Sequence, residues 1–266
     1  MKVVTILLFF CSLVLSDTLS KSYFSSKTDT YKQISHSEFT MALKLFEKLL
    51  QDEVLDSEQR YQLKQLHLEF KKVSERSFIL TDVQHQGRGF YIINYAYKNM
   101  LSIPHRFHDL RTGNIALKLM RERPYRATAF NTVSRKIVDY AHTNYTLFQA
   151  FHLTYAKLYP REYIYQLHGF KEKKFTGIQK SIIVSSTTTQ ASSRAKSINS
   201  CLNAIGYKSK LYGESIFELG GTTNIQANIL RENGYWNFLH IELESKVREI
   251  LYRDRDARDK FVECIQ

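Results

Sequence analysis

Apolar residues along the chain change spacing near residue 77. Before it, Phe39, Leu43, Phe46, Leu49 and Leu50 recur at helical intervals behind Ser35-His-Ser-Glu38, which has the form of a capping box. Asp56-Ser57 opens a second run with Leu63, Leu66, Phe70 and Val73 on one face. Together they predict a helical hairpin over 36–76, whose apolar stripe must pack against another element, because short helices do not hold in isolation. After residue 77 short apolar runs take over. Ser77–Thr81 and Phe90–Ala96 predict strands joined around Gly87-Arg-Gly89, and Met100–Ile103 predicts a third that stops at Pro104. The two periods then alternate: helix 114–123, strand 128–133, helix 147–158, strands 163–167 and 181–185, helix 190–204, strand 215–219, helix 224–232, strand 237–243 and a long charged helix 245–263. Strands alternating with helices of this length predict an α/β domain over 77–266, with a mostly parallel sheet flanked by helices.

Two stretches fall outside the pattern. Residues 1–16 carry Lys2, the apolar run Val3–Leu15 and Ser16, the form of a secretory signal peptide. That run is too short for a stable membrane span, so none is expected after its removal. Residues 17–35 are polar and lack periodicity, which predicts a flexible leader. The signal reading implies a secreted or periplasmic protein. With Cys11 inside the signal, Cys201 and Cys264 remain, either as one disulfide or as two buried thiols.

The formal charge of +12 would suit an anionic partner, but the Lys and Arg are spread along the chain and no nucleic-acid motif accompanies them. A nucleic-acid partner is therefore not expected. A hydrophobic share of 43% is enough for a full core.

The chemistry collects at strand ends. His105 and Asp109 follow the strand that stops at Pro104, His168 ends the strand from Tyr163, and His240 with Glu242 lies on the strand from Asn237. In α/β folds ligands bind outside the carboxyl ends of the strands. Imidazole and carboxylate groups there suit a divalent metal such as zinc, which needs about three protein ligands and an open position for water. His105, Asp109 and His168 are the candidate ligands, with Glu242 as the base that relays a proton. Arg135, just past a strand end, is the candidate for binding a substrate carboxylate through its fork of donors, assisted by Asn131. His240 reads equally as a supporting partner of the site or as a packed core histidine. Asp139 and His142 read as a structural pair or as cleft-lining residues.

Ile103-Pro-His-Arg-Phe-His-Asp-Leu-Arg-Thr-Gly113, the Leu167-His-Gly169 strand end and Leu239-His-Ile-Glu-Leu243 resemble the N-formylglutamate amidohydrolase-like group of the zinc exopeptidase and amidohydrolase fold. Phage poly-γ-glutamate hydrolases are relatives of that group. The resemblance covers about residues 78–255. It implies a phosphorylase/hydrolase-like α/β sheet, one zinc ion and hydrolysis of an amide bond next to a carboxylate, in an acylated amino acid, a peptide or a cell-wall-derived amide. It places the metal on His105, Asp109 and His168 and the general base on Glu242. The acid here is an Asp four residues after the first His, a departure from the pattern, and His108 competes with it for that position. The other expectation is a non-catalytic module of the same fold that recognises an anionic polymer.

Overall fold

The computed structural model describes residues 18–51, 55–171 and 181–266; the signal-peptide reading of 1–16 lies outside them. Nine strands among these residues form one sheet: β1 (Leu68–Ser74), β2 (Ser77–Asp82), β3 (Phe90–Asn94), β4 (Met100–Ile103), β5 (Ala127–Phe130), β6 (Ile164–Phe170), β7 (Ser181–Ser185), β8 (Lys208–Leu211) and β9 (Phe238–Glu244). Their order is β1-β2-β3-β5-β4-β6-β9-β7-β8. The helices are α1 (18–25), α2 (His36–Leu50), α3 (Ser57–Gln65), α4 (Thr112–Glu122), α5 (Leu147–Leu158), α6 (Ser193–Ala204), α7 (Ile225–Glu232), α8 (Ser245–Arg253) and α9 (Arg255–Ile265).

The sheet is parallel through its centre, where β5, β4, β6 and β9 lie side by side, and again between β7 and β8. β1, β2 and β3 run antiparallel to their neighbours, and so does β7 against β9. Short connections such as Glu75-Arg76 between β1 and β2 can only join antiparallel strands, whereas parallel neighbours need a crossover helix. From β4 the chain crosses by α4 to β5 on one side, then by α5 to β6 on the other. The direction of winding therefore reverses at β4, where open α/β sheets form their ligand crevice.

Each face of the sheet has its own core. Leu101, Ile103, Tyr165, Leu167 and Leu239 pack under α4, α6, α8 and α9. Met100, Ile164, Phe238 and Tyr91 pack with α2, α5 and α7. The α2 stripe seen in the sequence is covered by this second core, and its capping box forms as expected: the Ser35 hydroxyl accepts from the Glu38 amide at 3.1 Å while the Glu38 carboxylate accepts from the Ser35 amide at 2.8 Å. α2 shares its core with β3 and α5.

Several expectations are corrected. The second helix ends at Gln65, and His67, with φ of 53°, turns the chain into β1, so Phe70 packs on Phe78 of β2 instead of along a helix. Residues 18–34 are no loose leader. Tyr23 is buried, its ring lies 3.8 Å under the Arg106 guanidinium, and the Thr28 amide donates to the Thr132 carbonyl at 2.8 Å. Ser215–Leu219 is not a strand; β8 precedes it at Lys208. The C-terminal helix is two helices, divided at Asp254, whose side chain caps α9 by accepting from the Ala257 amide.

Cys201 of α6 and Cys264 of α9 form a disulfide across 63 residues. Closing a loop of that length removes denatured-state entropy worth about 4 kcal/mol, so Cys201→Ser with Cys264→Ser lowers unfolding stability by an amount of that order, measured as a shift of the denaturant midpoint. His152 of α5 is fully buried, with Nδ1 2.6 Å from the Phe148 carbonyl and Nε2 2.7 Å from the Ser102 hydroxyl. Burial drives its pKa down to about 4 from 6.5, against the weaker opposing pull of the Phe148 carbonyl. The unfolded chain takes up this proton below pH 6.5 and the folded chain only near pH 4. The contribution is therefore complete above that window and is lost as pH falls through it, by about 3 kcal/mol at its foot. Denaturant titrations between pH 7 and 4.5 should show a flatter slope for His152→Gln than for the parent chain.

Candidate metal centre

β4, β6 and β9 are successive parallel neighbours, so their carboxyl ends open on one edge. A strand alternates its side chains, and on β6 this puts Ile164, Gln166 and His168 on one face while Tyr165 and Leu167 enter the opposite core. On β9 the same face carries Phe238, His240 and Glu242. The register pairs Ile164 with Phe238, Gln166 with His240 and His168 with Glu242. Along this face the chain passes from apolar to ionisable as it nears the edge.

After β4, the turn from His105 folds back on itself, the His108 and Asp109 amides both donating to the His105 carbonyl at 2.9 and 2.8 Å. This brings Asp109 over His105. The Arg106 amide donates to Asn131 Oδ1 at 3.0 Å, and Asn131 Nδ2 donates to the Val133 carbonyl at 2.6 Å. Asn131 is fully buried and holds this turn; it is not brought to the opening. Arg248, also buried, donates from Nη1 to the Leu110 carbonyl, from Nη2 to the Phe170 carbonyl and from Nε to the Leu243 carbonyl at 2.6, 2.9 and 3.1 Å. One guanidinium thus ties the chain beyond β4, the end of β6 and the end of β9.

These constraints gather His105, Asp109 and His168, all buried, with their ligand atoms within 4.8 Å of one another. Nδ1 of each histidine lies 3.4 Å from Asp109 Oδ2. The same oxygen accepts the Gly169 amide at 3.0 Å. The far nitrogens are occupied: His105 Nε2 meets Asp139 Oδ1 at 2.7 Å and His168 Nε2 meets Gln166 Oε1 at 2.8 Å. An acceptor on each Nε2 favours the proton there and leaves a lone pair on each Nδ1, and His105 Nδ1 is buried without a hydrogen-bond partner. Two nitrogen lone pairs and a carboxylate facing one point fit a divalent metal ion, and the outer acceptors are the supports metal-bound histidines usually have.

Burial alone would raise the Asp109 carboxyl, but the imidazoles of His105 and His168 beside it prevail and hold it far below the usual carboxylate range. Burial, then His240, push His168 down to about 4, so its ring is neutral. Burial lowers His105 too, yet the Asp109 and Asp139 carboxylates beside it raise it overall. Asp139 is held low, its burial outweighed by His105 first and then Arg135.

Glu242 stands beside His168. Its Oε1 is 3.2 Å from His240 Nε2, and its buried Oε2 has no hydrogen-bond partner among the described residues. The His240 ring is 4.4 Å from that of His168, which makes it a neighbour of the site and not a distant core residue. Gly221, with φ of +62°, lies against His240, where a Cβ would come within 2.7 Å of Nδ1. Arg135 Nε donates to Asp139 Oδ2 at 2.7 Å, so an Arg135–Asp139–His105 chain leads from a half-exposed cation to the candidate ligands. His108 is exposed and lies outside the cluster, and His142 is also exposed and touches Asp139 only through the backbone.

Gln166 and Arg248 were not singled out by the sequence, and Asp139 was read with His142 as a structural pair or as lining the cleft. Gln166 had a signal, two residues before His168 on the same strand face. The contact of Asp139 with His105, 34 residues away, and that of Arg248 with Leu110, 138 residues away, had none.

No protein-family model and no curated protein matches the chain. Among solved structures it is similar to the zinc-free form of YNDL, with 17% identity over 63% of this chain and 81% of that one, at a TM-score of 0.38. A bacteriophage poly-gamma-glutamate hydrolase gives 12% identity over 63% and 81%, at 0.38. N-formylglutamate amidohydrolase from Ralstonia eutropha JMP134 gives 11% over 63% and 91%, at 0.43. The chemistry below rests on the residues of this chain.

The geometry predicts a single divalent ion per chain in elemental analysis of the purified protein, lost in His105→Ala and in His168→Ala and retained in His108→Ala.

Proposed function

We propose that the protein is an exported zinc-dependent hydrolase cleaving an amide bond next to a carboxylate, in an acylated amino acid, a peptide or a cell-wall-derived amide. The observation that carries the reading is the convergence of His105 Nδ1, His168 Nδ1 and Asp109 Oδ2, with the unpartnered Oε2 of Glu242 on the next strand end. Two imidazoles and one carboxylate leave room in a zinc coordination sphere for water. Zinc held there supplies Lewis acidity, polarising a carbonyl and bringing the pKa of a water to about 7.

The remaining work falls to the chain. Asp139 and Gln166 keep the two rings oriented by accepting from their outer nitrogens. His240 engages one oxygen of Glu242, so the other is the one directed at a reactant. Glu242 Oε2 takes the proton from the attacking water as the oxygen–carbon bond forms, and passes it to the nitrogen as the carbon–nitrogen bond breaks. Arg135 makes no hydrogen bond from its terminal nitrogens among the described residues, and these can engage a substrate carboxylate in bidentate fashion. The substrate role for Asn131 passes to Arg135 alone, because the Asn131 amide is engaged with Arg106 and Val133. The Cys201–Cys264 disulfide supports a location outside the reducing cytosol, secreted or periplasmic.

The test is a screen of N-acyl amino acids, peptides and cell-wall fragments, with and without chelator. Glu242→Gln should keep the metal and lose roughly 10²–10⁴-fold in turnover, the usual range for a proton-transferring group. Arg135→Ala should raise KM for carboxylate-bearing substrates far more than for their amides. A fully active Glu242→Gln, or activity that survives complete removal of metal, overturns the proposal.

A further inference from the structure

A run of buried polar side chains extends from His168 away from the opening, and each of its hydrogen bonds has only one possible direction. The Gln226 amide nitrogen donates to the Tyr140 carbonyl at 2.6 Å, so Gln226 Oε1 is left as an acceptor, 3.2 Å from Gln166 Nε2. Asn224 Oδ1 caps α7 by accepting the Ala227 amide at 3.1 Å, so Asn224 Nδ2 is the donor to Gln166 Oε1 at 2.5 Å. Both neighbours demand the same orientation of the Gln166 amide. A third constraint comes from α5. A backbone carbonyl cannot donate, so His152 Nδ1 carries the proton toward Phe148, His152 Nε2 accepts from the Ser102 hydroxyl, and Ser102 Oγ accepts from Gln166 Nε2 at 3.0 Å.

With its amide fixed on three sides, Gln166 presents an oxygen to His168 Nε2 at 2.8 Å. That nitrogen must carry the proton, and the lone pair of His168 is forced onto Nδ1, the atom 3.4 Å from Asp109. Gln166, Ser102, His152, Asn224 and Gln226 are all buried, so water does not compete for these bonds.

We propose that Gln166 is a positioning residue that locks His168 in the tautomer able to ligate through Nδ1, and that the first turn of α7, through Asn224 and Gln226, sets Gln166. The proposal deepens the zinc-hydrolase reading, but its first readout does not depend on metal or activity. Asn224→Asp is the sharpest variant. Aspartate caps helices as well as asparagine does, so α7 keeps its cap. The new carboxylate cannot donate to Gln166 Oε1. It repels that oxygen and so opposes the orientation that Gln226 and Ser102 still demand, which opens the turned amide and the Nδ1–H tautomer of His168 to population. Gln166→Met, of similar shape, removes the constraint without inverting it.

The experiment is ¹⁵N spectroscopy of histidine-labelled, metal-free protein, followed by zinc titration against a competing chelator. The parent chain is expected to show His168 wholly as the Nε2–H tautomer. Gln166→Met should give a mixture and Asn224→Asp a shift toward Nδ1–H, each with zinc affinity weakened about 10- to 100-fold, the usual effect of losing such a support. Should Gln166→Met fail to fold, the parent spectrum and Asn224→Asp decide the matter. Nδ1–H in the parent chain, or both variants with the parent tautomer and affinity, overturns the proposal and leaves the hydrolase standing. A parent chain with the expected tautomer that never binds zinc does the reverse.

Discussion

The site depends on one constraint of sheet geometry. In parallel neighbours held in register, residues facing one another point to the same side, and the side-chain period of two repeats that relation at every second residue. The pairing of β6 with β9 therefore decides that His168 meets Glu242 and Gln166 meets His240. A slip of one residue would exchange this polar row for Leu167 and Ile241, sending ionisable groups into the core beneath α4 and α8. Arg248 reinforces the arrangement where the hydrogen-bond ladder ends, fixing three chain segments that would otherwise diverge beyond the sheet. Gly169 belongs to the same device: a Cβ there would lie 2.7 Å from the Arg248 guanidinium carbon, so only glycine lets the guanidinium pass under β6.

The polar face also explains the choice of helices around it. α5 and α7 cover this side, and each meets it with a hydrogen-bonding group: His152 from α5, Asn224 and Gln226 from the start of α7. Buried polar groups are tolerable only when paired, and a network that satisfies every member is stiffer than an apolar contact. Helix capping, strand register and ligand orientation are thus joined in one set of bonds.

What could be read from the sequence follows the range of the interactions. The strand ends at Pro104, His168 and Glu242 were legible because period and punctuation are local properties. Capping of α2 was legible for the same reason. The second helix was misjudged because Leu66, Phe70 and Val73 suit a helix stripe, while a residue at positive φ, His67, redirects the chain; Phe70 then finds Phe78 across two strands. The leader was misjudged because its polar composition concealed Tyr23, which is held by an arginine more than eighty residues away. The partners of Asp139 and Arg248 lay beyond local reading, since they are brought near only by the assembled sheet.

Among the described residues, His105 Nδ1, His240 Nδ1 and Glu242 Oε2 are buried polar atoms at this site without partners. Orphaned groups of this kind are costly, and an ion pair kept for stability alone is commonly matched or bettered by apolar residues of similar size. If the cluster were only structural, leucine-like side chains at the same strand ends would stabilise the fold more. Instead these three atoms lie at the strand ends around the crevice, beside an aspartate held ionised and a histidine held neutral. A cation between His105, His168 and Asp109 removes the mismatch of lone pairs there, and a reactant at Glu242 Oε2 removes the next. The local instability and the proposed chemistry have the same origin.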